Sequence, residues 1–337
     1  MYLKNFKKNN KGPKILYLDQ NFWIYLAKIH YGKDSDITLS QILNKLYDAV
    51  SNGKLVIPIN LTNVIEAQKI KNLKRREQLA KFMISLAKGF SFIPYPYIEY
   101  KEVENIVLER LGLPLHNIRE IVIGKGLLYM ISDGTPNFLP EFHSSPIDLI
   151  NETKGLLAKL ILKNQSIKEE FMIDFIINPH RDHDFSSLIN KLEHIRTNGY
   201  KTKDKKLRKI IGISHYILNS IARLLYQACS RNNLDPYSFR FNEENKIYDF
   251  LKKLPFFYTQ YLLFKGLDNS VDHKITSNDM QDIRSFSFAL PYCDYVAGEN
   301  YVISLAKRND VNKLYSTRLF TKSDFVNIEG ELDKLEV

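Results

Sequence analysis

The chain has 337 residues, 44% of them hydrophobic and 12% aromatic, and a formal net charge of +10. Those figures exclude a disordered polymer and a small disulfide-built scaffold, and they leave room for one large domain or two ordinary ones. No apolar run is long enough to span a bilayer, so a membrane role is not expected.

The first residues, "MYLKNFKKNNKGPK", are basic and lack the apolar core of a signal peptide, which makes a cytoplasmic protein the expectation. Cys229 and Cys293 form no metal-binding spacing and no disulfide framework, and they read as reduced core thiols. The charge excess is local. Five lysines stand in the first fourteen residues, and "KTKDKKLRK" at 201–209 carries six basic residues and one acid. The remainder balances at 37 basic and 37 acidic residues. Two short basic runs of this kind suit contact with phosphates, although a solvated tail and loop would look the same.

In chain order, 14–19 read as a strand closed by Asp19, and "NFWIYLAKIHYG" reads as a helix stopped by Gly32. "TLSQILNKLYDAVSNG" is a second helix, with Leu39, Ile42, Leu46 and Val50 at helical spacing and Asn52-Gly53 as its stop. "KLVIPIN" is a short buried strand. The segment 61–89 is expected as one long helix, with Thr62 as its N-cap and Gly89 as its stop. Its Leu73, Leu79, Phe82, Met83 and Leu86 face a core, and Lys74, Arg75 and Arg76 project outward. "FSFIPYPY" is expected to be extended; its aromatics suit a core, or stacking on unpaired bases. Alternation of strand and helix predicts a parallel α/β sheet.

Residues 98–272 break the rhythm with helical patterns and few strands, and they read as a large insertion between the α/β segments 1–97 and 273–337. Within it, "NPHRDHDF" around His180 and His183 reads as a polar loop, two imidazoles being too few for a metal site. The α/β pattern then returns: "SNDMQDIRSFSFAL" as a helix, "CDYVAGEN" as a strand and turn, "YVISLAKRN" as a helix and "NKLYST" as a strand.

Acids recur where such a sheet builds its sites, at the C-terminal strand ends. Asp19 closes the first strand, and Glu66 lies early in the helix after the second. Asp282 is expected in the first turn of its helix, and Glu299 follows the next strand. Each alone has an ordinary role as a helix cap, a surface residue or a turn residue, and Asp279 with Asp282 has the spacing of a capping box. Together the four carboxylates are predicted to meet within a few ångström. Like charges resist joint ionisation, and a hard divalent cation resolves the conflict. Gln20 and Asn21 add polar groups at the same edge.

On "ILYLDQNFW", "LTNVIEAQK" and "NDMQDIRSFSFALPYCDYVAGEN" the chain resembles the PIN-like nuclease superfamily over about residues 14–97 and 275–325. The resemblance implies a PIN-like α/β sheet with a helical insertion. It implies Asp19, Glu66, Asp282 and Glu299 as catalytic carboxylates holding Mg²⁺ or Mn²⁺. It also implies phosphodiester hydrolysis as an endonuclease, on RNA rather than DNA, with a toxin or defence effector as the biological setting. Asn21, Lys74, Arg75, Lys205, Lys206 and Arg208 are the expected nucleic-acid contacts. Glu299 stands where the family more often has Asp, and Gly298 where it has a small hydroxyl residue. That departure motivates the alternative of an inactive nucleic-acid-binding or scaffold protein. Asp294, just before its strand, is expected to hold loop structure. The insertion offers a surface for a second copy or a protein partner.

Overall fold

A computed structural model describes residues 12–126, 129–130, 172–173, 176–177, 219–239, 244–268 and 275–336. The first segment runs β1 (Lys14–Leu18), α1 (Gln20–His30), α2 (Ile37–Ser51), β2 (Leu55–Val56), α3 (Leu61–Gln68), α4 (Leu73–Ala87) and β3 (Phe90–Phe92). It continues through α5 (Tyr95–Arg110), α6 (Ile118–Ile121) and β4 (Ile123–Lys125). Later come α7 (Asn219–Arg231), α8 (Glu244–Lys252), α9 (Pro255–Asp268) and α10 (Ser277–Tyr292). The chain closes with β5 (Tyr295–Ala297), α11 (Asn300–Arg308), α12 (Val311–Tyr315), β6 (Arg318–Phe320) and α13 (Glu329–Glu336).

The sheet is parallel, in the order β2-β1-β5-β6. Leu16, Tyr17 and Leu18 pair with Tyr295, Val296 and Ala297, so residues almost 280 apart in sequence lie side by side. Pro58 lacks an N–H and ends the β2 pairing. Beyond it, Ile59 exchanges backbone hydrogen bonds with β3 (Ile59 N–H to Phe90 O 3.1 Å, Phe92 N–H to Ile59 O 2.9 Å). β4 adds antiparallel to β3.

Because strand side chains alternate, β1 supplies both faces. Leu16 and Leu18 join one core with Trp23, Leu46, Phe82 and Phe325 from α1, α2, α4 and the C-terminal turn. Ile15 and Tyr17 join the other, with residues of α5, α7, α9 and α10 such as Ile98, Ala228, Leu263 and Phe286. The described helices of the 98–272 region therefore share a core with the sheet. Cys229 and Cys293 are buried in that core and form no disulfide. No helix among the described residues is long and apolar enough to cross a membrane.

Several expectations are corrected. The segment 61–89 is two helices, because Asn72 starts α4 by accepting from the Arg75 N–H (3.0 Å). Arg76 turns inward and donates Nη1 to the Gln68 and Ile70 carbonyls (3.1 and 3.3 Å), which the end of α3 leaves open. Leu73 is 57% exposed and outside the core. The N-cap of α3 is Asn60, in a reciprocal box with Asn63, and Thr62 is left free of that duty. Residues of "YPY" are already helical, opening α5 with Pro96 at its start, where a missing N–H costs nothing. "NKLYST" belongs to helix α12, whose Val311 and Tyr315 are buried one turn apart; Ser316 at φ 55° ends it, and the strand follows at 318–320.

Candidate active site

In the strand order, the chain steps from β1 out to β2 on one side and returns to β5 on the other. A crevice forms outside the strand ends where such a reversal occurs. Asp19 and Glu299 stand on its two lips, Asp19 directly after β1 and Glu299 two residues past the end of β5, and the Asp19 N–H donates to Ala297 O (2.9 Å). Both occupy helix N-cap positions, yet neither side chain caps its helix. The ordinary role for such acids is therefore left undone. Glu299 instead accepts a short hydrogen bond from the Asn21 side-chain amide, so Asn21 orients an acid.

Glu66 and Asp282 reach the same edge from α3 and α10. Asp282 lies in the second turn of α10, not the first. Thr276 and Asp279 form the capping box one register earlier, with Asp279 Oδ2 accepting from the Thr276 N–H at 2.7 Å. That box uses Asp279 and leaves Asp282 available.

The electrostatics tie the four acids together. Burial, then repulsion by Glu299, lifts Asp19 to about 6 against the opposing Gln20 amide. Burial, then Asp19, lifts Glu66 to about 7, with Lys69 pulling the other way. Burial, then Asp19, Glu299, Glu66 and Asp279, lifts Asp282 to about 8. Asp19 is 7% exposed, Glu66 and Asp282 are half-buried, and Glu299 is exposed. Among the described residues no three His, Cys, Asp or Glu side chains form a group that could hold a metal ion as they stand. Hard oxygen donors from four elements, unspent as caps and short of counter-charge, fit Mg²⁺ or Mn²⁺ in kind.

A raised carboxyl alone does not mark this edge. Glu102, in the helical core, is lifted to about 8 by burial. Glu99 adds a smaller push, and the Glu102 carboxylate is bound by the Phe256 N–H (2.7 Å) and the Tyr292 hydroxyl. The edge differs in collecting several acids that act on one another.

Beside the acids stand three hydroxyls that the sequence did not single out as a group. Tyr95 Oη lies 3.0 Å from Thr62 Oγ1 and 3.1 Å from Ser285 Oγ, and Ser285 donates to Thr62 at 3.3 Å. Burial holds the Tyr95 phenol above its ordinary pKa, so it keeps its proton. Thr62 is one turn before Glu66 and Ser285 one turn after Asp282. That same-face spacing was the signal available for finding them. Gln20 is 5% exposed, and neither atom of its side-chain amide has a hydrogen-bond partner among the described residues; it stands immediately beside Asp19.

Asp294 lies away from this edge. Its Oδ2 accepts from the Ile15 N–H (2.9 Å) and Arg119 Nη2 (2.6 Å), with Lys14 Nζ at 3.6 Å, which pins the start of the sheet. Lys74 and Arg75 are exposed at the start of α4, directly after the helix that bears Glu66. Lys205, Lys206 and Arg208 lie outside the described residues, as does "NPHRDHDF". Comparison with protein-family models, with curated proteins and with solved structures returned no match.

Proposed function

We propose that the chain is a metal-dependent endonuclease of PIN-like type that hydrolyses phosphodiester bonds, in RNA rather than DNA. The observation that carries this reading is the arrival of Asp19, Glu66, Asp282 and Glu299 from four separate elements at one strand edge, with three of them pushed up by burial and by one another. The preference for RNA, and a toxin or defence role, come from the resemblance of the sequence segments.

Asp19, Glu66, Asp282 and Glu299 would hold Mg²⁺ or Mn²⁺. A bound ion of that kind supplies an activated water and positive charge for the phosphate oxygens. The chain's own groups have separate duties. Asn21 sets the Glu299 carboxylate. Glu66 and Asp282, titrating near and above neutrality, give up protons as positive charge enters. Thr62, Tyr95 and Ser285 offer neutral O–H donors to a phosphate or sugar oxygen without adding charge. Lys74 and Arg75 hold the strand's backbone, as ionic contacts that position without selecting sequence.

The deciding experiment is a cleavage assay on single-stranded RNA and DNA with Mn²⁺, comparing wild type with Asp19→Asn. The expected result is RNA cleavage by wild type and its loss, by about a thousandfold or more, in the variant. If both proteins bind RNA equally and neither cuts it, the alternative of an inactive binding or scaffold protein replaces this reading.

A further inference from the structure

Glu66 and Asp282 stand on helices whose main packing partners lie elsewhere. Helix α3 packs mainly on α1 and α4, and α10 mainly on α9, α11 and α12. Residues of both helices wall a cavity of about 120 Å³, with Ile65 from α3 and Gln281 from α10 among them. Apolar packing therefore does not fix the separation of the two helices there.

Hydroxyls bridge them instead. Tyr95 Oη lies 3.0 Å from Thr62 Oγ1 on α3 and 3.1 Å from Ser285 Oγ on α10, and Ser285 Oγ donates to Thr62 Oγ1 at 3.3 Å. A phenol donates one hydrogen bond and accepts others, so a single hydroxyl can hold both helices at once. Ser285 is 2% exposed, so water competes little for its bonds. Side chains three or four residues apart share a helix face. Thr62 thus anchors α3 about 6 Å along its axis from Glu66, and Ser285 anchors α10 about 4.5 Å from Asp282.

Tyr95 is built to stay still. Pro94 and Pro96 flank it at the start of α5, and each pyrrolidine ring fixes its own φ. The Tyr95 ring stands 5.6 Å from that of Phe288 and 6.3 Å from that of Phe256, centre to centre. The Arg284 guanidinium lies 5.5 Å from the ring centre and is itself held by Glu99 at 3.3 Å.

A small hard ion needs that rigidity. Mg²⁺ demands near-octahedral oxygen donors at about 2.0–2.1 Å, whereas Ca²⁺ accepts a looser shell at about 2.3–2.6 Å. Its ligands have to be held to within about 0.5 Å. Loss of a group that orients ligands from behind typically costs about 10–100-fold in metal affinity.

We propose that Tyr95, Thr62 and Ser285 form a spacer that sets the distance between Glu66 and Asp282 and so tunes the site to a small hard ion. All three are positioning residues, with Tyr95 at the centre. The proposal rests on the reading of the four acids as an ion site.

The test is calorimetric titration of the full chain with Mg²⁺ and with Ca²⁺, as wild type, Tyr95→Phe, Thr62→Val and Thr62→Ser. Tyr95→Phe removes one oxygen and keeps the ring beside Phe288 and Phe256. It is expected to weaken Mg²⁺ binding about tenfold and Ca²⁺ binding about threefold or less. Thr62→Val should do the same from α3 and guards against a folding defect in the first variant. Thr62→Ser keeps the hydroxyl and should retain Mg²⁺ affinity. The double variant Tyr95→Phe/Thr62→Val should lose little more than either single one, because both open the same triangle. Wild-type Mg²⁺ affinity in both single variants, with RNA cleavage intact, overturns the spacer and leaves the nuclease reading standing. Equal losses for the two ions also overturn it, since a general loosening of the fold would not choose between them. The expected Mg²⁺ losses in a protein that cuts no RNA keep the spacer and remove the nuclease reading. A wild type that binds neither ion removes the ion site and the spacer with it.

Discussion

Gly298 shows how one residue sets the site. A Cβ there would lie 2.1 Å from Phe286 Cζ, and the Phe286 ring packs edge-on against Tyr17 with centroids 5.8 Å apart. A hydroxyl residue before Glu299, the commoner pattern in PIN-like sequences, has no room. Gly298→Ala is expected to cost about 1–3 kcal/mol in urea unfolding, since the ring must leave a packed core. Asp282 makes the opposite prediction. An ordinary aspartate titrates near 3.8, and this one is pushed up to about 8 in the folded chain. A raised carboxyl contributes stability that is complete below the ordinary value and lost as pH rises through the folded one. Ion-free wild type therefore carries a penalty at pH 8.5 that a neutral amide lacks. Asp282→Asn should melt higher than wild type at pH 8.5 and alike at pH 4, while losing cleavage. An equal melting difference at both pH values would show that the acid is not strained by its neighbours. Asp19 and Glu66 were singled out in the sequence by position alone. Sequence spacing misplaced the cap of α10, because Thr276-Asp279 and Asp279-Asp282 have the same spacing and only the backbone decides which pair closes.

Helix α3 and helix α4 illustrate what periodicity misses. No Gly or Pro interrupts 61–88, yet the chain breaks at 69–72, because Asn72 caps α4 and Arg76 reaches back to the carbonyls of Gln68 and Ile70. A side chain eight residues away is invisible to a pattern of apolar positions. The break aims α3, and with it Glu66, across the strand ends while α4 packs on α1 and α2. Arg76→Ala should lose about 1–2 kcal/mol of stability, from charge-assisted hydrogen bonds at a half-buried site. The adjacent cations should behave differently. Lys74→Ala and Arg75→Ala leave the fold intact, and each lost phosphate contact lowers the salt slope of single-strand RNA binding by about 0.7. An unchanged slope in the double variant would remove both residues from the interface. The central strands and most helices were legible for the complementary reason: Leu16, Leu18, Leu55 and Ala297 are buried within the short apolar runs that marked them. The hydroxyl trio was not legible, since 62, 95 and 285 meet only across three elements.

At the scale of the whole molecule, the fold joins two ends of a chain around a charge conflict. Pairing of β1 with β5 carries Asp19 and Glu66 from the first segment to Asp282 and Glu299 from the last. Folding buries these acids and, to a smaller extent, sets them against one another, which lifts Asp19, Glu66 and Asp282 to about 6, 7 and 8. An ion that binds the folded state alone stabilises it, by about 2.7 kcal/mol at a hundredfold excess over Kd. Mn²⁺ should therefore raise the wild-type melting temperature by several degrees and leave an Asp19→Asn/Asp282→Asn double variant unmoved. The sign of the pH dependence follows from the same groups. At pH 6 most of Glu66 and Asp282 is protonated, so protons compete with the ion; by pH 8 Glu66 is mostly ionised and Asp282 about half. Affinity for Mn²⁺ should rise across that window. Calorimetry at pH 7 in two buffers of different ionisation enthalpy should register protons released on binding. A Kd that stays flat from pH 6 to 8, with no proton release, would separate these carboxylates from the ion and remove the reason for gathering them at the strand ends.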